Sequence, residues 1–81
     1  MIDKYSDELY KLGFITESPV SFILKVDGER MMFIESNTLY NSLWVKITQG
    51  QYRMVKKEKS LELLLPHIKN EIRALKIRNF Q

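Results

Sequence analysis

The sequence predicts an α+β fold: an N-terminal helix, an antiparallel sheet of three or four strands built from two hairpins, and a C-terminal helix, with both helices on one face of the sheet. Three observations carry this expectation. Asp27-Gly28 lies between two apolar runs and is a preferred dipeptide for a two-residue type I′ turn, whose central positions both need positive φ. A second turn signal, Gln49-Gly50, lies between two further apolar runs. Leu61, Leu64, Leu65, Ile68, Ile72 and Leu75 then recur at helical spacing. Eighty-one residues make one domain, 1–81, and area scaling buries about 64% of such a chain's surface, enough for one modest core.

The first helix is short. Asp3 is its expected cap, Tyr5, Leu9 and Leu12 fall at i, i+4 and i+7, and Gly13 supplies a left-handed stop. Phe14 and Ile15 lead out through Thr16–Pro19, where Pro19 disfavours helix in Ser18. Counting outward from Asp27-Gly28 pairs Val26 with Glu29, Lys25 with Arg30, Leu24 with Met31, Ile23 with Met32 and Phe22 with Phe33. Strict alternation then gives a core face of Val20, Phe22, Leu24, Val26, Met31 and Phe33.

Ser36–Ser42 reads as a polar connection with room for one helical turn around Leu39 and Tyr40. In the second hairpin, about 43–57, a two-residue loop opposes Ile47 to Tyr52, Lys46 to Arg53, Val45 to Met54 and Trp44 to Val55. Its core face is then Leu43, Val45, Ile47, Tyr52 and Met54; a three-residue loop would set Val45 against Arg53 on that face. The last helix is expected from Leu61 to Arg78 with Ser60 as cap. Pro66, which lacks a donor and crowds the preceding turn, is expected to kink it or start a second segment, with Leu65 and Ile68 still facing the core.

Composition excludes several chemistries. Without cysteine there is no disulfide framework, thiolate zinc site or thiol nucleophile, and one histidine makes no histidine cluster. No cofactor is expected. There is no Gly-rich phosphate loop, no paired carboxylates placed for acid–base work, and no Ser/His/Asp spacing for a nucleophile. His67 reads as a polar-face residue just after Pro66. No apolar run reaches the length of a membrane span and Met1–Ser6 lacks a signal-peptide layout, so the expected setting is reducing and cytoplasmic.

The net charge of +3 hides a polarised chain. Residues 1–43 carry four basic and seven acidic groups, whereas residues 44–81 carry nine basic groups against Glu58, Glu62 and Glu71. Such segregation favours a polyanion. The expected registers oppose Lys25 to Arg30 and Lys46 to Arg53 on the outer sheet face, and directly opposed cations disfavour a sheet unless an anion sits between them. Trp44, Thr48 and Gln51 share that face, and Lys56 and Lys57 continue from the last strand. A basic sheet face with an aromatic for stacking suits single-stranded nucleic acid. Lys69, Arg73 and Lys76 add a line of charge on the last helix, with Arg78 beyond it. The plain alternative is that these cations are a solvated surface and that Trp44 closes a small apolar cluster with Ile23, Met32, Ile34 and Val55.

The helix–sheet–helix order with Lys56-Lys57 near the last helix resembles a double-stranded-RNA-binding domain, which implies RNA as the ligand. This chain departs from that family in lacking its glycine-containing turn before the lysines and its alanine-rich last helix. The stretch from Trp44 through Lys46, Gly50, Tyr52 and Arg53 to Val55 resembles the hairpin of ribosome-dependent ribonuclease toxins of the RelE/ParE type. The helical hairpin that precedes their sheet is replaced here by another β-hairpin.

Three function classes follow. The first is a non-enzymatic nucleic-acid-binding protein, RNA preferred because no helix-turn-helix or zinc finger is visible, with Lys25, Arg30, Trp44, Lys46, Arg53, Lys56, Lys57, Lys69, Arg73 and Lys76 as contact residues. The second is a small inhibitor or accessory factor, of the kind encoded by phages and mobile elements, that binds a host protein through Met31, Met32, Ile34, Trp44 and the strand edges. The third, a small ribonuclease working through Tyr52, Arg53 and lysines, ranks well below both.

Overall fold

The computed structural model describes residues 3–79, with side chains described for residues 5–76. In chain order it contains α1 (Asp3–Lys11), β1 (Ile15–Ser18), β2 (Ser21–Val26), β3 (Glu29–Ser36), β4 (Asn41–Thr48), β5 (Gln51–Glu58) and α2 (Leu61–Asn79). The strands form one antiparallel five-stranded meander in the order β1-β2-β3-β4-β5. The α+β class therefore stands, and the strand count is corrected from three or four to five. The additional strand is Ile15–Ser18, which pairs with β2 through Ile15↔Ile23 and Thr16↔Phe22.

α1 ends as its sequence requires. Gly13 has φ 103°, its N–H donates to the Tyr10 carbonyl at 3.0 Å, and the Phe14 N–H reaches back to the Leu9 carbonyl at 3.0 Å. This pair of bonds is the Schellman arrangement, and the buried Phe14 and Leu9 supply its apolar contact. A Cβ on Gly13 would also come within 3.0 Å of Leu24 Cδ1. The cap expected of Asp3 lies outside the described side chains.

The Asp27-Gly28 turn forms with φ 53° and 80°, and the first two pairs, Val26↔Glu29 and Lys25↔Arg30, follow from it. The register then slips by one residue: Leu24 pairs with Met32, Ile23 with Phe33 and Phe22 with Ile34. Met31 is the extra residue, a β-bulge on β3. This overturns the expectation of Phe33 in the core. Phe22, Leu24, Met32 and Ile34 enter the core, Met31 packs against it, and Phe33 turns to the other face. Met31–Ile34 is apolar throughout, so the run has no phase of its own; pairing with β4, Met32↔Val45 and Ile34↔Leu43, sets it.

The second hairpin turns at Gln49-Gly50, with Gly50 at φ 77°, and contains two compensating bulges. Ile47 is the extra residue on β4, which moves Lys46 opposite Tyr52, Val45 opposite Arg53 and Trp44 opposite Met54. Val55 is the extra residue on β5, which returns Leu43 to Lys56 and Ser42 to Lys57. The expected core face is corrected accordingly. Leu43 and Val45 are buried, Ile47 is 57% exposed, and Tyr52 and Met54 share the outer face with Trp44. Between the hairpins, residues 37–40 form a loop in which the Asn37 side-chain oxygen accepts from the N–H groups of Leu39 and Tyr40, each at 2.8 Å, in place of a helical turn.

α2 runs unbroken across Pro66, so the expected second segment does not occur. Proline removes the bond that the Glu62 carbonyl would accept, and both residues lie on the exposed side of the helix, where water can serve that carbonyl. Leu65 and Ile68 are buried as expected, and the Leu63 N–H donates to Ser60 Oγ at 3.3 Å, the expected cap. Leu61, Leu64, Leu65, Ile68 and Leu75 join Leu9 and Phe14 in one cluster with the inner residues of β2, β3 and β4. The helices divide the sheet unequally. α2 lies against β4 and β5, whereas α1 meets β1–β2, where Tyr10 contacts Phe22 edge-on at 5.9 Å and bonds Thr16 Oγ1.

Phe22→Ala is expected to cost about 3–5 kcal/mol, since Phe22 is fully buried in the main core, whereas Phe33→Ala costs less because its ring lies on the outer face. Chemical denaturation of the two variants checks the order; a larger loss for Phe33 would return it to the core. Gly13→Ala is expected to lower stability by about 1–2 kcal/mol, through positive φ and the close approach of Leu24.

Candidate functional site

The bulges leave a continuous row on the sheet face opposite the helices. Register partners Ile15, Ile23, Phe33, Trp44 and Met54 place one apolar side chain on each of the five strands. Ile23 is only 4% exposed yet stands apart from the main core cluster, so this face has a small apolar cluster of its own. At the row's ends Ile15 is 51% and Met54 44% exposed.

Phe33 organises the middle of the row. Trp44 stacks on it with ring centroids 5.7 Å apart and planes 7° from parallel, and Tyr52 meets it edge-on at 5.1 Å. The Arg30 guanidinium lies 5.7 Å from the same ring centroid. Trp44 Nε1 donates to Ser42 Oγ at 3.0 Å, and the Tyr52 hydroxyl donates to the Arg30 carbonyl at 3.2 Å. The cluster expected around Trp44 therefore exists with different members: Met32 and Ile34 belong to the main core and Val55 packs against it, while Phe33 and Tyr52 take their places.

Cations flank the row. Lys25 and Arg30 are cross-strand partners on this face, as expected, but Arg30 bonds Glu17 of β1. Lys46 bonds Glu29 of β3 at 2.8 Å. Lys57 places its ammonium 4.6 Å from the centre of the Tyr40 ring. The expected Lys46–Arg53 opposition does not form. The Ile47 bulge puts Tyr52 opposite Lys46 and sends Arg53 to the helix side, where it faces Glu71 of α2 at 4.0 Å. The two cations therefore do not oppose each other across the strands. Lys56 also lies on the helix side, opposite Leu43, and approaches Glu58 at 3.8 Å.

The ten contact residues expected from sequence therefore separate into three places. Lys25, Arg30, Trp44, Lys46 and Lys57 share the outer face, and Arg53 and Lys56 sit on the helix side of the β5 edge. Lys69, Arg73 and Lys76 lie about 140–160° around α2 from Glu71, the residue that faces β5, so they continue neither group. Tyr52 and Arg53 point to opposite faces, which separates the two side chains a ribonuclease reading would combine. Ile15, Phe33, Tyr52 and Met54 are the outer-face residues that sequence reasoning missed; the four-residue apolar run at 31–34 was the available signal that alternation there is ambiguous.

A groove of about 630 Å³ lies elsewhere, at one end of the sheet, lined in part by Tyr5, Val20, Asn37, Asn41, Lys59 and Leu61. Its buried Asn41 is already satisfied, accepting from Ser36 Oγ at 2.6 Å and donating to the Lys59 carbonyl at 3.1 Å. Among the described residues no group of three His, Cys, Asp or Glu side chains could hold a metal ion, and no helix is long and apolar enough to cross a membrane. No known protein family, curated protein or solved structure matches the chain.

Trp44 is the sole tryptophan, so its emission reports on this face alone. Phe33→Ala is expected to shift that emission to the red and raise its quenching by acrylamide, as the stacked neighbour is lost. Unchanged emission and quenching would show that Phe33 does not shield Trp44.

Proposed function

We propose that this chain is a non-enzymatic binding protein whose outer sheet face takes single-stranded nucleic acid, RNA in preference to DNA. The observation that carries the reading is the mixed chemistry of that face: an apolar and aromatic row across all five strands, with Lys25, Arg30 and Lys46 on one side and Lys57 on the other. Aromatic side chains offer sequence-tolerant stacking, and cations beside them neutralise phosphates. The Arg30–Glu17 pair does not oppose this role, because an exposed ion pair is worth only about 0–1 kcal/mol and a phosphate can replace the carboxylate. The Lys46 side chain is 14% exposed and held by Glu29, so it contributes charge from beneath the surface. Trp44 stacks on Phe33 on one side and has Met54 as its cross-strand partner on the other, so in this proposal a base is taken at the partly exposed part of the ring. Arg53, Lys56 and the α2 row are omitted from this interface, a narrower site than sequence alone suggests. The cysteine-free composition supports a reducing, cytoplasmic setting.

A protein partner is the second reading. It is favoured by the exposed apolar ends of the row, Ile15 and Met54, and by the carboxylates already beside Arg30 and Lys46.

Salt titration of a labelled single-stranded oligoribonucleotide separates the two. Nucleic-acid binding is expected to give a log–log slope of about −0.7 per neutralised phosphate and to quench Trp44. Trp44→Ala is expected to weaken binding by ~1–3 kcal/mol. The triple variant Lys69→Ala, Arg73→Ala and Lys76→Ala is expected to leave the quenching intact, since that row lies on α2, away from the outer face. Absence of binding at low salt and micromolar protein would remove the nucleic-acid reading and leave the protein partner in front.

A further inference from the structure

The two edges of the sheet are unequal. β1 is a four-residue strand whose pairing with β2 is interrupted between Thr16 and Ser18 and which runs into Pro19, features that blunt an edge. β5 has one bulge of its own, at Val55, but it is eight residues long, contains no proline, and among the described residues pairs on one side only, with β4. Among the described residues no strand pairs with its other side, which presents a row of backbone donors and acceptors.

The side chains along that edge limit what can pair with it. The Val55 bulge places Arg53 and Lys56 on the same, helix-side face, opposite Val45 and Leu43; regular alternation would have put them on opposite faces. Both are exposed, and their carboxylate contacts, Glu71 at 4.0 Å and Glu58 at 3.8 Å, are loose. On the outer face the edge carries Met54, the exposed end of the apolar row, and Lys57. A second copy of this chain, pairing through the same edge, would bring cations against cations, which is unfavourable.

We propose that the free edge of β5 accepts an extended acidic segment of a partner protein as a sixth strand. Strand addition draws affinity from the backbone and specificity from alternating side chains. Here the added strand carries Glu or Asp on the helix side, beside Arg53 and Lys56, and apolar residues on the outer side, where they extend the row ending at Met54. The inference rests on the edge and its charges, independently of the ligand assigned to the outer face.

The probe is a fluorescent eight-residue peptide of alternating glutamate and valine, titrated against the whole protein by anisotropy, with amide hydrogen exchange read on β5. The expected result is saturable binding with added protection of β5 amides. Replacing the glutamates by lysine, or N-methylating alternate backbone nitrogens in the frame that faces β5, is expected to weaken binding about tenfold or more. The double variant Arg53→Glu, Lys56→Glu is expected to reverse the preference towards the lysine peptide. The peptide-side changes decide the matter even if that variant folds poorly. No binding would overturn the proposal. So would equal binding of peptides N-methylated in either frame, or displacement by an oligoribonucleotide with no β5 protection, because each shows attraction to charge without strand addition.

Discussion

The phase of four consecutive apolar residues, Met31 to Ile34, governs the rest of this structure. Two faces compete for them: one packs against the helices and the other is open. The bulge at Met31 resolves the competition by giving Met32 and Ile34 to the core and Phe33 to the open face. Pairing with β4 enforces the choice, because Leu43 and Val45 are buried while Ser42, Trp44 and Lys46 alternate with them. One residue of slip in β3 would exchange the two faces of that strand throughout. The aromatic centre of the candidate interface is therefore a consequence of how the main core is filled.

The bulges on β4 and β5 act as a second such device. Between Ile47 and Val55 the strands are displaced by one residue, and beyond Val55 they return to the pairing set by the turn. The displacement brings Tyr52 and Met54 to the outer face and sends Arg53 to the helix side. It separates the cations of Lys46 and Arg53 and provides each with a carboxylate, Glu29 and Glu71. The charge asymmetry of the sequence is consequently distributed over an outer face, an edge and a helix flank.

Much of the fold was legible in the sequence because local chemistry demanded it. Gly13, Asp27-Gly28 and Gly50 occupy positive-φ positions at the ends and turns where they were expected. The α2 stripe buries Leu61, Leu64, Leu65, Ile68 and Leu75. β1 was harder to recognise, since Ile15–Ser18 is short and has little apolar alternation; its pairing depends on β2 being present. Registers beyond the turns were illegible for a related reason. A bulge is chosen by the packing of both faces at once, and a run such as Met31–Ile34 satisfies either phase locally. The candidate site inherited that ambiguity. Its cations and Trp44 could be read from residue type, but Phe33 and Tyr52 could be placed only once the register was known.

Phe33 belongs to the open face and organises it. Nuclear Overhauser contacts from the Phe33 ring protons measure this directly. Strong contacts are expected to the Trp44 indole and the Tyr52 ring, with none to the methyl groups of Leu64 or Ile68 on α2. Contacts from Phe33 to those methyl groups, with none to Trp44, would contradict this placement.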